Sequence, residues 1–260
     1  MSELLFMTER RRSILDILRE QGRVSVNELS ERLNVSAVTI RQDLRALDEE
    51  NLLERTHGGA VLPRKRSVMP ELTFDVRQQE RQSQKQALAR EAVKRVQNGA
   101  TIALDSSTTV FAMLPILKQF DRLIVVTHSL MIAQSLLDSP KIQVYMPGGV
   151  MRRDSIALVG NPQNFPDIHI NIGFFSAHGI TIETGATESS QEEATMKRAL
   201  MSRCLSTCYM IDDAKWGRVA PFTLATASEI NTLFTPASAP REPLEALRKK
   251  GVEIVRVPVA

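Results

Sequence analysis

The chain has 260 residues, 43% of them hydrophobic and 24% charged, which is typical of a globular protein with one small and one mid-sized domain. No stretch approaches the roughly 20 apolar residues that span a bilayer, and the N-terminus lacks a signal-peptide pattern, so we expect a cytoplasmic protein with no membrane partner. The net charge is +3, and residues 1–70 hold 12 Lys and Arg against 11 Asp and Glu, so composition alone does not indicate DNA binding.

The first fifty residues contain three helical patterns. The first runs from Glu9 to about Gln21, with Gly22 ending it. The second begins after Ser25, which forms a capping box with Glu28, and the third begins after Ser36. The side chains expected to face inward are Ile14, Leu15, Ile17, Leu18, Leu29, Leu33, Val38, Leu44 and Leu47, with Ile40 completing the packing.

A hairpin pattern follows the three helices. Leu52–Thr56 and Ala60–Leu62 flank a Gly58-Gly59 turn, so residues 1–62 are predicted to form a winged helix-turn-helix DNA-binding domain. Residues 63–75 interrupt both periodicities and are the expected linker. The basic cluster in that linker serves either solubility or contact with the phosphate backbone.

Side chains at the start of the third helix match the chemistry of a major groove. Arg bonds guanine, Gln bonds adenine, and Thr or Ala contacts a thymine methyl group, while Ser and free N–H groups at a helix start suit a phosphate. A helical protein-interaction module is the alternative interpretation of the same elements. The predicted DNA-binding residues are Ser25, Ser36, Ala37, Thr39, Arg41, Gln42, Arg45, Arg55, His57, Gly58 and Gly59.

Beyond the linker, short apolar runs alternate with helical patterns, which predicts a mostly parallel sheet covered on both faces. We therefore expect residues 76–260 to form an α/β effector-sensing domain. The predicted strands are Thr101 to Leu104, Leu123 to Val126, Ile142 to Met146, Ile172 to Phe175, Thr207 to Ile211 and Val252 to Val257.

Polar residues follow five of these strands, and the carboxyl ends of strands form the ligand crevice of an open α/β sheet. Hydroxyl groups and lysines there favour an anionic ligand, although Ser and Thr are also common structural helix caps. His128 and His178 are expected to donate hydrogen bonds, with pH sensing or acid catalysis as the alternatives. The predicted effector-binding residues are Asp105, Ser106, Ser107, Thr108, Thr109, His128, Ser129, Gly148, Gly149, Lys197, Asp212 and Lys215.

Cysteines and histidines do not indicate a metal. Cys204 and Cys208 lie four residues apart, and two thiols are fewer than the ligands that zinc usually needs. The histidines lack the spacing of metal ligands. We expect reduced thiols, no metal and no cofactor, with a phosphorylated sugar as the effector ligand.

The chain resembles the DeoR family of bacterial transcriptional regulators over nearly its whole length. In the N-terminal part the match rests on Val24–Val26, Val35-Ser36, Thr39–Arg41, Asp43-Leu44 and His57–Ala60. In the C-terminal part it rests on a second set of positions: Arg77, Lys85, Asp105-Ser106, Thr108-Thr109, Val125–Thr127, Ser129-Leu130, Gly148-Gly149, Gly160, Gly179, Gly185, Lys197-Arg198, Asp212 and Lys215.

The resemblance implies a sensor domain like the ribose-phosphate isomerase and CoA-transferase fold group, which binds phosphorylated sugars or related metabolites. It also implies that Asp105–Thr109 hold the phosphate and sugar hydroxyls, while Lys197, Asp212 and Lys215 close the far side. The sequence departs from the family pattern at Gln42, Ser107, His128 and Ala214, each in a presumed contact surface.

These features predict a bacterial regulator that binds double-stranded operator DNA as a homo-dimer or homo-tetramer. The favoured function is repression of a sugar-metabolism operon, modulated by a small phosphorylated metabolite, with no catalytic residues. An activator with the same parts is one alternative. The other is a sugar-phosphate isomerase-like or transferase-like enzyme with an appended DNA-binding module, whose candidate bases are Glu183, Glu188, Glu192 and Glu193.

Overall fold

The computed structural model describes residues 7–49, 52–56, 58–61 and 74–259. The chain divides into two compact units, Met1–Leu72 and Thr73–Ala260. Within the described ranges, every helix is too short or too polar to cross a membrane.

The N-terminal unit has three helices and a small antiparallel sheet with the strand order β1-β3-β2. The strand β1 was not predicted, because three residues are too few to show a period. The residues predicted to form the core of this unit belong to its apolar cluster, with the single exception of Val38. The elements are α1 (Met7–Gln21), β1 (Arg23–Ser25), α2 (Val26–Leu33), α3 (Ala37–Glu49), β2 (Glu54–Thr56) and β3 (Gly59–Val61).

Side-chain caps place the two middle helices. The Ser25 hydroxyl accepts the Glu28 N–H at 3.1 Å and opens α2, which is one half of the predicted capping box. Asn34 ends that helix in the left-handed conformation, with φ 52°. The Ser36 hydroxyl accepts the Thr39 N–H at 3.1 Å and opens α3. The tight connection predicted between these helices therefore forms.

Val38 corrects one prediction. It was expected to face inward, but it is 61% exposed, while Ile40 is fully buried. Residues two apart on a helix point in nearly opposite directions, about 200° apart, so Val38 and Ile40 cannot share a face. Ile40, Leu44 and Leu47 form the buried stripe.

The C-terminal unit is built on a seven-stranded, entirely parallel sheet. Its helices are α4 (Phe74–Gln79), α5 (Gln82–Val93), α6 (Thr108–Phe111), α7 (Leu114–Leu117), α8 (Leu130–Ser135), α9 (Gln191–Met201) and α10 (Arg241–Lys249). Its strands are β4 (Thr101–Leu104), β5 (Leu123–Thr127), β6 (Ile142–Tyr145), β7 (Val150–Arg152), β8 (Ala157–Val159), β9 (Ile172–Phe175), β10 (Gly179–Thr181), β11 (Gly185–Glu188), β12 (Thr207–Met210), β13 (Phe222–Ala225), β14 (Thr232–Pro236) and β15 (Glu253–Val257).

The strand order of the main sheet is β15-β14-β12-β9-β4-β5-β6. Six of the seven strands were predicted, and β14 was missed because its short run ends in Pro236 and has polar residues at both ends. Two large apolar clusters form the core of this unit. A smaller sheet of order β10-β11-β13 and the hairpin β7-β8 complete the unit.

The structure describes only the end of the predicted linker. Residues 63–73 lie outside the described ranges, and α4 begins at Phe74. The Phe74 side chain is buried and packs edge-on against Phe111, with ring centroids 5.3 Å apart. Helix α4 of the C-terminal unit thus includes the last two residues of the range that was expected to be linker.

Candidate DNA-reading face and effector crevice

The outer face of α3 carries four exposed side chains. Val38, Arg41, Gln42 and Arg45 follow helical spacing and span an arc of about 100°. Three of the four were predicted as DNA contacts, and Val38 was missed because the sequence pattern assigned it to the core. The remaining predicted residues at the helix start have other partners.

Ala37 and Thr39 are half-buried rather than fully displayed. Ala37 packs against the core of the N-terminal unit, so its methyl group is less accessible than predicted. The Thr39 hydroxyl lies 2.8 Å from the Ser36 hydroxyl. Ser25 and Ser36 are exposed, yet both serve as helix caps.

A buried ion cluster anchors α3 against α1. The Asp43 side chain is 2% exposed, and its Oδ2 lies 2.5 Å from Arg10 Nε. Its Oδ1 accepts a bond from Arg11 Nε at 3.1 Å. Asp43 belonged to the matched family pattern, but this pairing joins residues more than thirty positions apart and had no sequence signal.

The residues of the wing, which is the β2-β3 hairpin, differ in their exposure and in their contacts. Arg55 is exposed, and its backbone N–H donates to Asp48 Oδ1 at 3.4 Å. The Gly58 carbonyl accepts the Val26 N–H at 2.9 Å, which ties the turn to α2. Gly59 is buried, and a methyl group there would collide with the Val24 carbonyl, so this glycine is needed for packing. His57, also a predicted contact, lies outside the described residues.

In the C-terminal unit, the five predicted polar loops follow five adjacent strands, in the order β12-β9-β4-β5-β6. Since these strands are parallel, their carboxyl ends lie at one edge of the sheet. We call this place the crevice. The sequence could place each loop after a strand, but the order of the strands decides that the loops are neighbours.

Asp105 and Lys197 form a saturated buried network. Lys197 Nζ lies 2.6 Å from Glu188 Oε2, 3.1 Å from Asp105 Oδ2 and 3.3 Å from the Ser176 carbonyl oxygen, which uses its three donors. Asp105 also accepts the backbone N–H groups of Ser107 and Ser176. Both residues were predicted to bind ligand. In the structure, however, the donors of Lys197 and the acceptors of Asp105 are occupied by bonds to other residues of the protein, and these bonds shape the crevice.

The charges in this network support one another. Burial alone would lower the pKa of Lys197, but Asp105, Glu188 and Glu193 raise it well above the usual range. Burial would likewise raise the pKa of Glu188, and Lys197 holds it below its ordinary value instead. Both shifts favour the charged forms, so Lys197 and Glu188 are ionised at neutral pH.

Glu193 connects a second set of crevice residues. Its Oε2 accepts the Ser106 hydroxyl at 2.8 Å and lies 3.5 Å from His128 Nε2. Burial opposes ionisation, but bonding and charge from His128 and Lys197 hold the pKa of Glu193 well below its ordinary value. Of the four glutamates considered as candidate bases, Glu188 and Glu193 are buried here, while Glu183 and Glu192 are exposed.

Among the described residues, no hydrogen bond of regular geometry reaches three buried polar atoms near Glu193, which are His128 Nδ1, Glu193 Oε1 and Ser155 Oγ, although the Ser155 hydroxyl is close enough to help lower the pKa of Glu193. Ser155 lies in the turn of the β7-β8 hairpin, which reaches the His128 loop through the bond from Leu158 N–H to the His128 carbonyl, 2.8 Å long. Its neighbour Ile156 has φ 49°, a strained conformation for a β-branched residue. Unsatisfied atoms and strain together are typical of a ligand site.

A group of cations lies beside this region, around Asp212. Lys85 is buried, and two of its N–H groups are bonded to the Thr108 hydroxyl, at 2.9 Å, and to the Arg77 carbonyl. Burial, assisted by the Lys215 ammonium group, lowers the pKa of Lys85 to about 8 despite the nearby Asp212. Burial also lowers the pKa of Lys215. Lys85 matched the family pattern but was not predicted as a site residue.

Other predicted ligand residues have structural partners. The hydroxyls of Ser107 and Ser129 cap α6 and α8 by accepting the N–H groups of Val110 and Ile132. Gly148 and Gly149 are exposed where the chain enters β7. Thr109 and Asp212 are buried, and Asp212 Oδ1 accepts the Ala214 N–H at 3.1 Å.

A winged helix-turn-helix unit followed by an α/β unit with a polar crevice defines a class, the DNA-binding regulators with a sensor domain. Two family models match the chain: the DeoR-like helix-turn-helix domain over residues 10–66 and the DeoR C terminal sensor domain over residues 80–237. The chain belongs to the DeoR family of transcriptional regulators. It is a regulator and not an enzyme, so the enzyme alternative is set aside.

Relatives extend over nearly the full chain. The chain is 36% identical to the HTH-type transcriptional regulator GolR of Listeria innocua, covering 89% of this chain and 91% of that protein. It is 28% identical to the glycerol-3-phosphate regulon repressor of Escherichia coli, covering 95% and 98%. It is 30% identical to the L-fucose operon activator of Haemophilus influenzae, covering 90% and 94%.

Among solved structures, ribose 5-phosphate isomerase A from Methanocaldococcus jannaschii is 15% identical, with a TM-score of 0.40 over 52% of this chain and 54% of that chain.

Proposed function

We propose that this regulator represses a sugar-metabolism operon and is released from its operator by a phosphorylated sugar bound in the crevice. One observation carries the proposal: the crevice has a buried lysine, Lys85, and a half-buried lysine, Lys215, both with lowered pKa values, in the same unit as buried polar atoms that lack partners. A ligand with an anionic end and a hydroxyl-bearing end matches both. Relatives named for a glycerol-3-phosphate regulon and an L-fucose operon support a sugar-related role.

The phosphate group is assigned to the cations. Desolvation lowers the pKa of both Lys85 and Lys215, and the positive charge of Lys215 lowers the pKa of Lys85 further because like charges repel. An anion between them removes this repulsion and supplies an acceptor for the remaining N–H of Lys85. Lys197 is excluded from this role because Glu188, Asp105 and Ser176 occupy its donors.

The sugar hydroxyls are assigned to His128, Glu193 and Ser155. A hydroxyl group both donates and accepts, so two neighbouring hydroxyls satisfy a carboxylate oxygen, an imidazole nitrogen and a serine hydroxyl together. Ligand binding thus gives hydrogen-bond partners to three buried polar atoms that lack them, and so offsets the cost of their desolvation. His128 replaces the asparagine usual in the family, so we expect a preference among sugars that differs from that of relatives.

Release requires that the effector bind the two states of the regulator with different affinity. We propose a homo-dimer or homo-tetramer whose reading helices match half-sites about 34 Å, or a multiple of this distance, apart. The relatives include repressors and an activator. We favour repression, in which effector binding stabilises an arrangement that no longer fits the operator.

A ligand panel tests the proposal. Purified full-length protein is mixed with aldose, ketose and polyol phosphates and with their unphosphorylated parents. We expect one phosphorylated compound to raise the melting temperature and to lower operator affinity in fluorescence anisotropy, while its parent does neither. Equal effects of the unphosphorylated parent would contradict the assignment of the anion site.

Lys85→Met sharpens this test. The variant should bind operator like the original chain but lose both the thermal shift and the release, because the anion loses its buried partner. Lys249→Met removes an exposed lysine of α10 and should behave like the unmodified chain. A normal response of Lys85→Met would move the phosphate site elsewhere.

A further inference from the structure

The reading face of α3 contains one apolar side chain among polar ones. Val38 is 61% exposed and lies near the centre of the arc, with Arg41 on one side and Gln42 on the other. Ile40 and Leu44 fill the core beneath, and Val38 does not belong to that core. A β-branched residue is also a weaker helix former than alanine.

The position and shape of Val38 suit an apolar contact in a groove. Valine has one strongly preferred rotamer in a helix, so its two methyl groups are held in a fixed direction with little entropy left to lose. In the major groove the thymine 5-methyl is the apolar feature, while the other groups on the base edges are hydrogen-bond donors and acceptors. Valine next to those polar groups would leave them unsatisfied.

We propose that Val38 reads the 5-methyl group of a thymine and thereby distinguishes thymine from cytosine at one position of each half-site. The inference rests on the proposed insertion of α3 into the major groove. One helical turn separates Val38 from Arg41 and Gln42, about 5 Å along the axis. The thymine therefore lies within about two base pairs of the bases that Arg41 and Gln42 contact.

Replacing thymine by deoxyuridine tests the contact, because it removes the methyl group and nothing else. The tightest duplex is first selected from a random library with the full-length protein, and each thymine is then replaced singly. We expect one thymine per half-site at which deoxyuridine weakens binding about fourfold. Val38→Ala should bind the original duplex about fourfold more weakly and lose sensitivity at that thymine alone.

Two further variants serve as a graded test and as a control. Val38→Thr keeps one methyl group and should retain part of the sensitivity. Val219→Ala, a matched control with the same change at a side chain that is 60% exposed in the other unit, should leave the whole profile unchanged. Circular dichroism checks that each variant is folded.

The inference is overturned if Val38→Ala keeps full sensitivity to deoxyuridine at every thymine, or weakens thymine and uracil duplexes equally. Arg41→Ala separates this failure from failure of the reading face itself. If Arg41→Ala weakens binding while Val38→Ala shows no coupling to thymine, α3 reads DNA and Val38 does not. If neither variant affects binding, the assignment of α3 as the reading helix is also wrong.

Discussion

At the scale of single residues, two buried lysines in one unit have opposite surroundings. Lys197 has carboxylates from Asp105 and Glu188 within 3.1 Å, and its pKa is raised. Lys85 is bonded only to neutral groups among the described residues, and its pKa is lowered to about 8. The charge of Lys197 is compensated within the protein, whereas Lys85 is the residue to which we assign the anion in the proposed function.

Removal of the Lys197 charge should destabilise the sensor unit. Lys197→Met leaves the buried carboxylates of Asp105 and Glu188 uncompensated, which costs about 3–5 kcal/mol of unfolding free energy. Urea denaturation followed by circular dichroism measures the change, with Lys249→Met as the exposed-lysine control. A loss smaller than about 1 kcal/mol would show that the network relaxes or hydrates without the lysine.

Effector binding should depend on pH through Lys85. Its folded pKa is about 8, below the ordinary value of 10.5, so the cost of burying the charged amine is present below pH 8. That cost disappears as the pH rises from about 8 towards 10.5, so this group makes the unliganded protein more stable at alkaline pH.

Binding of an anion has the opposite dependence, because it needs the protonated amine. Affinity for the phosphorylated effector should be constant below pH 8 and fall by about tenfold per pH unit above it, with proton uptake on binding. Calorimetry at pH 7, 8 and 9 in two buffers measures both quantities. Lys85→Met should show no measurable effector binding at any of the three pH values, and binding by this variant that still weakens as the pH rises would assign the titration to another group.

At the scale of elements, α3 depends on a charge buried beneath its reading face. Asp43 holds Arg10 and Arg11 of α1, so the angle of α3 is set by an ion cluster as well as by apolar packing. The opposite face of the same helix carries the exposed Arg41, Gln42 and Arg45, the predicted DNA contacts. One helix thus carries both its own anchor and the candidate reading surface.

Asp43→Asn should loosen this anchor. The two arginines keep only weaker bonds to a neutral amide, so we expect the N-terminal unit to lose about 3 kcal/mol of stability and the protein to lose specific operator affinity. Hydrogen exchange of α1 and α3 and anisotropy with operator DNA measure the two effects. Glu31→Gln, at an exposed position of α2, is the matched control. Unchanged exchange rates in Asp43→Asn would show that apolar packing alone holds the helix.

At the scale of the whole molecule, the proposed function couples two sites on two compact units. Coupling between binding sites is reciprocal: if the effector lowers operator affinity by a given factor, operator DNA lowers effector affinity by the same factor. We expect a factor between about 5 and 150. Calorimetric titration of the effector with and without saturating operator measures it. Equal effector affinities in the two titrations would mean that the effector does not act through this equilibrium.

Local chemistry in the sequence was sufficient to predict the three N-terminal helices, the wing and most strands of the main sheet. Ser25 and Ser36 marked two helix starts correctly, and six of seven main strands were recognisable from their apolar runs. Predictions failed where a residue had to be assigned to a face or a partner. Val38 was assigned to the core because it is apolar, although Ile40, and not Val38, has the helical spacing to Leu44 and Leu47, and the structure buries Ile40.

Domain order, helix caps, the parallel α/β class and the family were determined by the sequence itself, because they depend on neighbours along the chain and on motifs of local spacing. The tertiary structure alone decided that Lys197 pairs with Asp105 inside the unit, that Lys85 is buried against neutral groups, and that Ser106 and His128 both lie against the Glu193 carboxylate. The physical reason is that these interactions join residues distant along the chain. Their charge state and bonding capacity depend on burial, which only the packed fold produces.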